Sequence, residues 1–332
     1  MPLLIIRDHE IRELLPMKAC IGIMDQAMRA LSAGTVDVPE RIIAPLADGR
    51  SYFILMPGLM PLSEGDGHPG PYGAKLVGLH PDNPAGGRPA VQGFVSLFDG
   101  RTGEPVALLG GASITAIRTA AASALATREL ARPDARSHGI FGAGVLAATH
   151  LEAIACVRDI EQVVLWARDP AKARQFAERY RDPDGPEIRV TTDQATAAAC
   201  DVVSLVTNSP TPVLRGDWLR EGAHLNLVGA HEPEHREADS EAVAKSRIYV
   251  DSRSAALAEA GDLLIPMQEG RIGPDAIVGE IGELLLERVP GRRDDRQVTL
   301  YKSLGTFAQD LFAAVSVYDQ ARARGLGAEI EF

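Results

Sequence analysis

The chain has 332 residues, with 34 lysines and arginines against 45 aspartates and glutamates, a formal net charge of −11. A composition 45% hydrophobic and 24% charged is that of a folded globular protein, and it excludes disorder or a collagen-like repeat as a description of the whole chain. The acidic balance, with no basic stripe, leaves no electrostatic footprint for nucleic acid, and no apolar run approaches the ~20 residues that cross a bilayer.

The first third reads as α+β. The apolar opening Leu3-Leu4-Ile5-Ile6 is broken at once by Arg7-Asp8-His9-Glu10, too soon for a secretory signal, so a cytoplasmic location is expected. Asp8 is suited to cap a short helix holding Ile11, Leu14 and Leu15. Pro16 stands at the first turn of a second helix, in which Ile21, Met24, Ala27, Met28 and Leu31 recur at helical spacing before Gly34. Strands are expected over Arg41–Leu46 and Ser51–Met56, on either side of the hairpin signal Asp48-Gly49, and over Tyr72–Leu79. A second hairpin joins Val91–Phe98 to Pro105–Leu109. Two loops rich in glycine and proline, Gly65–Pro71 and His80–Pro89, are placed where a strand scaffold carries binding groups.

From Ala112 the texture changes. An alanine-rich helix is predicted over Ala116–Leu130, followed by alternating strands and helices. Strands are expected at Gly139–Phe141, Gln162–Ala167, Ile188–Thr191, Val202–Thr207, Leu225–Val228 and Ile248–Val250. Helices are expected at Val145–Val157 and Pro170–Tyr180. That alternation, with strands rich in Val, Leu and Ile, is the pattern of a parallel sheet covered on both faces. A final helix spans roughly Leu304–Arg322. The three cysteines, Cys20, Cys156 and Cys200, form no C-x-x-C pair. They are expected to be buried reduced thiols, and no metal site is expected.

Gly142-Ala143-Gly144-Val145-Leu146-Ala147 fits G-x-G-x-x-A between a predicted strand and a predicted helix. Gly142 permits the tight turn, Gly144 lets backbone approach a pyrophosphate, and Ala147 is small enough for helix–strand packing. A dinucleotide cofactor is therefore expected here. At the end of the next strand an acid would bind the ribose hydroxyls of NAD, but this chain has Ala167 and then Arg168. An arginine there suits the 2′-phosphate of NADP, with NAD the alternative. The competing reading makes Arg168 a solvated loop charge and Asp169 a helix cap.

Three basic residues stand where apolar ones would be expected. Arg118 lies within Ile114-Thr115-Ala116-Ile117-Arg118-Thr119-Ala120, Lys75 lies mid-strand in Gly73-Ala74-Lys75-Leu76-Val77, and Arg41 begins a strand. A buried guanidinium requires an anionic partner, because an uncompensated buried charge is costly. Taken singly, each also fits a surface or salt-bridge role.

Gly73-Ala74-Lys75-Leu76-Val77-Gly78-Leu79-His80-Pro81-Asp82-Asn83-Pro84 and Thr115-Ala116-Ile117-Arg118-Thr119-Ala120-Ala121-Ala122-Ser123 resemble segments of the ornithine cyclodeaminase/mu-crystallin family. Phe141-Gly142-Ala143-Gly144, Val228-Gly229-Ala230, Tyr249-Val250-Asp251-Ser252 and Lys302-Ser303-Leu304-Gly305 extend the resemblance, in family order, over nearly the whole chain. The resemblance implies an α/β fold in which both chain ends build an α+β substrate and dimerisation domain around a Rossmann domain. Residues 1–118 would form the first domain, 119–305 the Rossmann domain, and 306–332 a helix returning to the first. It further implies that Arg41, Lys75 and Arg118 contact substrate, that Val145, Leu146, Thr207 and Ser303 touch the nicotinamide cofactor, and that the protein is a homodimer.

The chain departs from the family at one informative place. The cyclodeaminase branch carries an aspartate in a segment resembling V-G-G-D-x-P-G-K. Here the segment is Val228-Gly229-Ala230-His231-Glu232-Pro233-Glu234-His235, so His231 stands at the acid's position and ornithine cyclisation is disfavoured. The expected activity is NAD(P)H-dependent reduction of a small imino acid, of ketimine or iminosuccinate type, to an L-amino acid. Arginines would clamp the carboxylate, Lys75 would bond it or donate a proton at a pKa lowered by nearby guanidiniums, and His231 would supply or relay the proton or else only pack beside the cofactor. The alternatives are an amino-acid dehydrogenase, an ammonia-releasing cyclodeaminase, and a non-enzymatic crystallin-like holder of NADP.

Overall fold

The computed structural model describes residues 2–61 and 69–331, so Gly65–His68 of the first expected binding loop, His68 included, lie outside the described residues. The chain divides into two units, Met1–Arg118 with Thr306–Phe332, and Thr119–Gly305.

The first unit holds β1 (Leu3–Ile6), α1 (Asp8–Leu14), α2 (Met17–Ala33), β2 (Ile42–Pro45), β3 (Tyr52–Leu59), β4 (Tyr72–Leu79), β5 (Val91–Phe98) and β6 (Pro105–Gly110). After β6 the chain enters α3 (Gly111–Leu130). Asp8 does not cap α1; Arg7 is the N-cap residue, and the Asp8 carboxylate instead accepts the Ser113 amide at 2.7 Å, at the start of α3. That bond satisfies one of the otherwise unpaired first amides of α3, which begins five residues earlier than the alanine pattern suggests. Gly34 ends α2 at φ +70°, as its position predicts. Both expected hairpins form, with Ile43 opposite Ile54 and Val95 opposite Leu109.

The second unit contains β7 (Ser137–Phe141), α4 (Val145–Ala155), β8 (Gln162–Trp166), α5 (Pro170–Arg179), β9 (Glu187–Thr191), α6 (Gln194–Ala198), β10 (Val202–Leu205), β11 (His224–Leu227), α7 (Ser240–Ala244), β12 (Ser246–Val250), α8 (Arg253–Glu259), α9 (Gly261–Gln268), β13 (Ile277–Glu280), α10 (Ile281–Leu285) and β14 (Val298–Lys302). The chain then returns to the first unit as α11 (Phe307–Arg324) and β15 (Ala328–Ile330). α11 starts three residues later than expected, since Gly305 at φ +79° interrupts helical geometry and the extended Thr306 is its N-cap.

The first unit's sheet has seven strands in the order β15-β1-β6-β5-β4-β3-β2, mixed in direction. The second unit's sheet has eight, β13-β12-β14-β11-β10-β7-β8-β9, and every pairing is parallel. β10, β11 and β14 are buried at every position, as befits central strands of a sheet covered on both faces. The strand order reverses between β7 and β10, the point where a doubly wound sheet binds ligands outside its carboxyl ends. Cys20 and Cys200 are buried as expected, but Cys156 is exposed, because α4 ends there and turns it outward.

Candidate active site

In the first unit, alternation along β4 sets the site. Gly73, Lys75 and Val77 face the interior, whereas Ala74 and Leu76 face the other side. Lys75 is 3% exposed, and its neighbours across the sheet are the buried Met56 on β3 and Val95 on β5. Its ammonium donates to Asp310 Oδ2 at 2.7 Å. Arg118 on α3, 4% exposed, donates from Nε to Asp310 Oδ1 at 3.0 Å and from Nη1 to Gln309 Oε1 at 2.7 Å. Asp310 and Gln309 occupy the first turn of α11, both fully buried. One carboxylate thus holds both cations, one on each oxygen.

The electrostatics follow from burial. Burial pulls Lys75 down to about 8, with the Arg118 and Arg41 charges adding to it, while Asp310 opposes the shift. Neighbouring guanidiniums contribute as the sequence suggests, yet desolvation is the larger cause. Burial pushes the Asp310 carboxyl upward, but Arg118 and Lys75 outweigh it and hold Asp310 below the usual carboxylate range. Arg41, half-buried just before β2, lies within electrostatic reach of Lys75. Cys20 lies near the same pair, and burial raises its thiol to about 12, so it is inert. Arg118 therefore has the anionic partner its burial demands, supplied by the chain itself.

The second unit carries the glycine turn. Gly142 adopts φ +121°, and a Cβ there would stand 2.9 Å from the Val206 carbonyl oxygen. Gly144 is the N-cap of α4 with no side-chain cap, and a Cβ on it would meet open space. The Val145 side chain is 64% exposed at the helix start, whereas Ala147 is fully buried against the sheet. Ala143 and Leu146 are half-buried on either side. Uncapped amides at the N-terminus of α4, with room in front of Gly144, suit a pyrophosphate. Ser303 adds a second sign: it is 2% exposed, and its Oγ has no hydrogen-bond partner among the described residues. An orphaned buried hydroxyl and an open glycine cradle fit a dinucleotide.

At the end of β8, Ala167 is followed by Arg168, which is exposed. Asp169 caps α5, accepting the Ala171 amide at 2.9 Å and the Lys172 amide at 3.4 Å. The helix-cap reading of Asp169 is thus the correct one. His231 is exposed, and its Nδ1–H donates to the Gly229 carbonyl at 3.2 Å. Thr207, two residues past the end of β10, donates from its amide and its hydroxyl to Glu237 Oε1, each at 2.7 Å. Among the described residues no group of three or more His, Cys, Asp or Glu is arranged to hold a metal.

The sequence reading missed Asp310 and Gln309, and likewise Glu237, Asp262 and Lys302. The signal for Asp310 was present: a carboxylate on the apolar face of Phe307-Ala308-Gln309-Asp310-Leu311 raises the same question as Arg118 amid alanines. Lys302 hid β14, because a strand ending in lysine does not read as buried. It is fully buried and paired with Asp262 at 2.8 Å.

A doubly wound parallel sheet with a glycine turn at its switch point is the fold of nicotinamide-dependent oxidoreductases, and comparison with known proteins narrows the class. The model of the ornithine cyclodeaminase/mu-crystallin family matches residues 3–325. A Delta(1)-pyrroline-2-carboxylate reductase of Bacillus cereus is 36% identical, over 99% of this chain and 100% of that protein. The structure of Thermococcus litoralis Delta(1)-pyrroline-2-carboxylate reductase in complex with NADH and L-proline superposes with a TM-score of 0.93 at 36% identity, over 99% of this chain and 100% of that one. An archaeal alanine dehydrogenase dimer with bound NAD superposes at 0.92 with 30% identity, over 100% of both chains. The chain belongs to the ornithine cyclodeaminase/mu-crystallin family. It is a nicotinamide-dependent oxidoreductase acting at carbon–nitrogen bonds, with an NAD(P) cofactor.

Proposed function

We propose that the protein reduces a small cyclic imino acid, of the pyrroline-2-carboxylate type, to the corresponding L-amino acid with NAD(P)H. The observation that carries this reading is the Lys75–Asp310–Arg118 cluster. Asp310 fixes both cations in direction while offsetting only one of their two charges, so one unit of positive charge remains for a substrate carboxylate. Charge-assisted bonds from a rigid ammonium and guanidinium orient the carbon next to that carboxylate. Arg41 adds a third cation within reach of Lys75.

The surroundings favour an aliphatic ring over an acidic side chain. Lys75 is bracketed by Met56 and Val95 on the adjacent strands, an apolar flank against which an aliphatic ring would pack. The bound dinucleotide supplies hydride from its dihydronicotinamide ring. Overall the C=N carbon gains hydride and the nitrogen ends with one more proton, which Lys75 or His231 delivers. The bond from Nδ1–H to the Gly229 carbonyl orients the His231 ring. Replacement of the cyclodeaminase aspartate by His231 speaks against an ammonia-releasing cyclisation. The retained cations speak against a mere holder of dinucleotide.

Arg168, exposed at the end of β8 where no acid stands, suits a 2′-phosphate, so NADPH is the proposed preferred reductant and NADH an accepted one. The family members cited above bind NADH or NAD. A homodimer is proposed through the outer face of the first unit's sheet. Across β2 to β5 the directly opposed residues Ile42, Leu55, Leu76 and Phe94 form an apolar row, with Ile42 59% and Phe94 40% exposed. No helix among the described residues is long and apolar enough to cross a membrane, and a cytoplasmic site of action is proposed.

The test is a panel of five- and six-membered cyclic imino acids and iminosuccinate, with NADPH or NADH, followed by loss of nicotinamide absorbance. Rapid reduction of a cyclic imine is expected. Failure of every imine, or ammonia release from ornithine, would overturn the proposal.

A further inference from the structure

Behind the cofactor turn lies a buried ionic cluster to which the reaction itself assigns no role. Glu237 is fully buried. Its Oε1 accepts the amide and hydroxyl of Thr207, and its Oε2 accepts the amides of Gly229 at 2.6 Å and Ala230 at 3.2 Å. Thr207 follows β10 and Gly229 follows β11, so one carboxylate clasps two adjacent strand ends on the ligand side of the sheet. The two segments are also in direct contact, because a Cβ on Gly229 would fall 1.9 Å from the Thr207 carbonyl oxygen.

The clasp is itself anchored. Asp262 on α9 accepts the backbone amides of Glu237 and Ala238 at 2.7 and 3.2 Å, and pairs with Lys302, whose ammonium also donates to the Ala230 carbonyl. Lys302 is the last residue of β14 and is followed directly by Ser303, whose hydroxyl is the orphan described above. A carboxylate kept ionised in such a place is expensive. Burial and the Asp262 charge push Glu237 up to about 7, against Lys302 and the Thr207 donors.

We propose that Glu237 is a positioning residue for the dinucleotide: by clasping the segments after β10 and β11 to each other, it sets the cradle for the nicotinamide half without touching the cofactor. The inference rests on dinucleotide binding by the second unit and adds a residue to it. Because the glycine turn, not the clasp, faces the pyrophosphate, loss of Glu237 should weaken the nicotinamide half selectively.

The experiment compares Glu237→Gln with the unaltered protein by fluorescence titration with NADPH and by calorimetry with two probes lacking nicotinamide, ADP-ribose and its 2′-phosphate. An amide offers a donor where the clasp needs only acceptors, so the NADPH dissociation constant should rise about tenfold while the ADP-ribose constants stay within about twofold. The KM for NADPH should rise in parallel, with kcat falling less. Equal weakening of both probe types would mark a merely structural residue and overturn the proposal, as would unchanged NADPH binding. Should Glu237→Gln fail to fold, Glu237→Asp shortens the clasp without altering its charge and is expected to give the same selective loss, smaller in size. Unaltered protein that bound neither probe would overturn the dinucleotide assignment itself.

Discussion

Lys75 on β4 and Asp310 on α11 meet at 2.7 Å although 235 positions separate them in the chain. A strand from the first third and a helix from the last tenth therefore share one ion pair, and the same carboxylate reaches Arg118. Removing one partner of such a buried cluster leaves charge without compensation, at a cost of about 3–5 kcal/mol. Asp310→Asn should lower the melting temperature markedly. A saturating carboxylate ligand should recover more of that loss than it adds to the unaltered protein, since it supplies the missing anion. Unchanged melting in the variant would show that Asp310 does not hold the cations.

Lys75 gives a pH dependence with a defined sign. Its folded value, about 8, lies below its ordinary 10.5, so the ammonium is present below pH 8 and lost above it. Affinity for tetrahydrofuran-2-carboxylate, a ring carboxylate without a titrating nitrogen, should be constant to about pH 7.5 and fall as pH passes 8. In Lys75→Arg the fall should move beyond pH 10. The folded chain sheds this proton before the unfolded chain does, so the group's contribution to stability rises between about pH 8 and 10.5. An alkaline limb that stays in place in Lys75→Arg would assign it to another residue.

How much of this was legible depends on range. Local signals placed Gly34, both hairpins, the Gly142 turn and the buried parallel strands, because each rests on backbone geometry or on a few neighbouring side chains. The anomaly at Arg118 announced that an anion was needed but not which one, since Asp310 lies 192 positions away. β13 and β14 went unseen because Glu280 and Lys302 end short runs and look like surface charges. Lys302 is neutralised by Asp262 instead, a pairing that only the tertiary fold creates. Asp8 was misread for a related reason: its acceptor serves α3, more than a hundred residues on, and not the helix it begins.

Arg168 is the residue through which the proposed choice between the two reductants is tested. It is exposed at the end of β8, and Ala167 offers no acid to repel a 2′-phosphate. Losing a charge-assisted fork should cost roughly tenfold or more in affinity. Arg168→Ala is expected to raise the KM for NADPH by about that factor while leaving NADH nearly unaffected, as measured by initial rates at fixed imine. Equal effects on both cofactors would remove Arg168 from the phosphate site.

Gly142 is the turn residue that tolerates no replacement. At φ +121°, with the Val206 carbonyl oxygen 2.9 Å from any Cβ, alanine must either strain the backbone by about 1–3 kcal/mol or shift the turn. Gly142→Ala should therefore both lower the melting temperature and weaken NADPH and ADP-ribose alike. That joint loss contrasts with the selective one expected of Glu237→Gln, and the two variants side by side separate the pyrophosphate turn from the nicotinamide clasp. Gly144→Ala, where a Cβ meets open space, should leave folding intact and show its effect only in dinucleotide binding.

The apolar row on the first unit's sheet makes the oligomeric state testable. Ile42, Leu55, Leu76 and Phe94 lie opposite one another on four consecutive strands, and Phe53 extends the patch at 44% exposure. β2 is the edge of that sheet, so a long apolar surface there would promote indiscriminate association unless a fixed partner covers it. A second copy of the same face satisfies the need with two-fold symmetry. Sedimentation velocity should show twice the chain mass for the unaltered protein. Phe94→Asp, which would bury a carboxylate from each copy in the apolar contact, should sediment as a monomer while retaining its far-ultraviolet circular dichroism. Unaltered protein that sediments as a monomer would overturn the dimer, and a Phe94→Asp variant that stays dimeric would move the interface elsewhere.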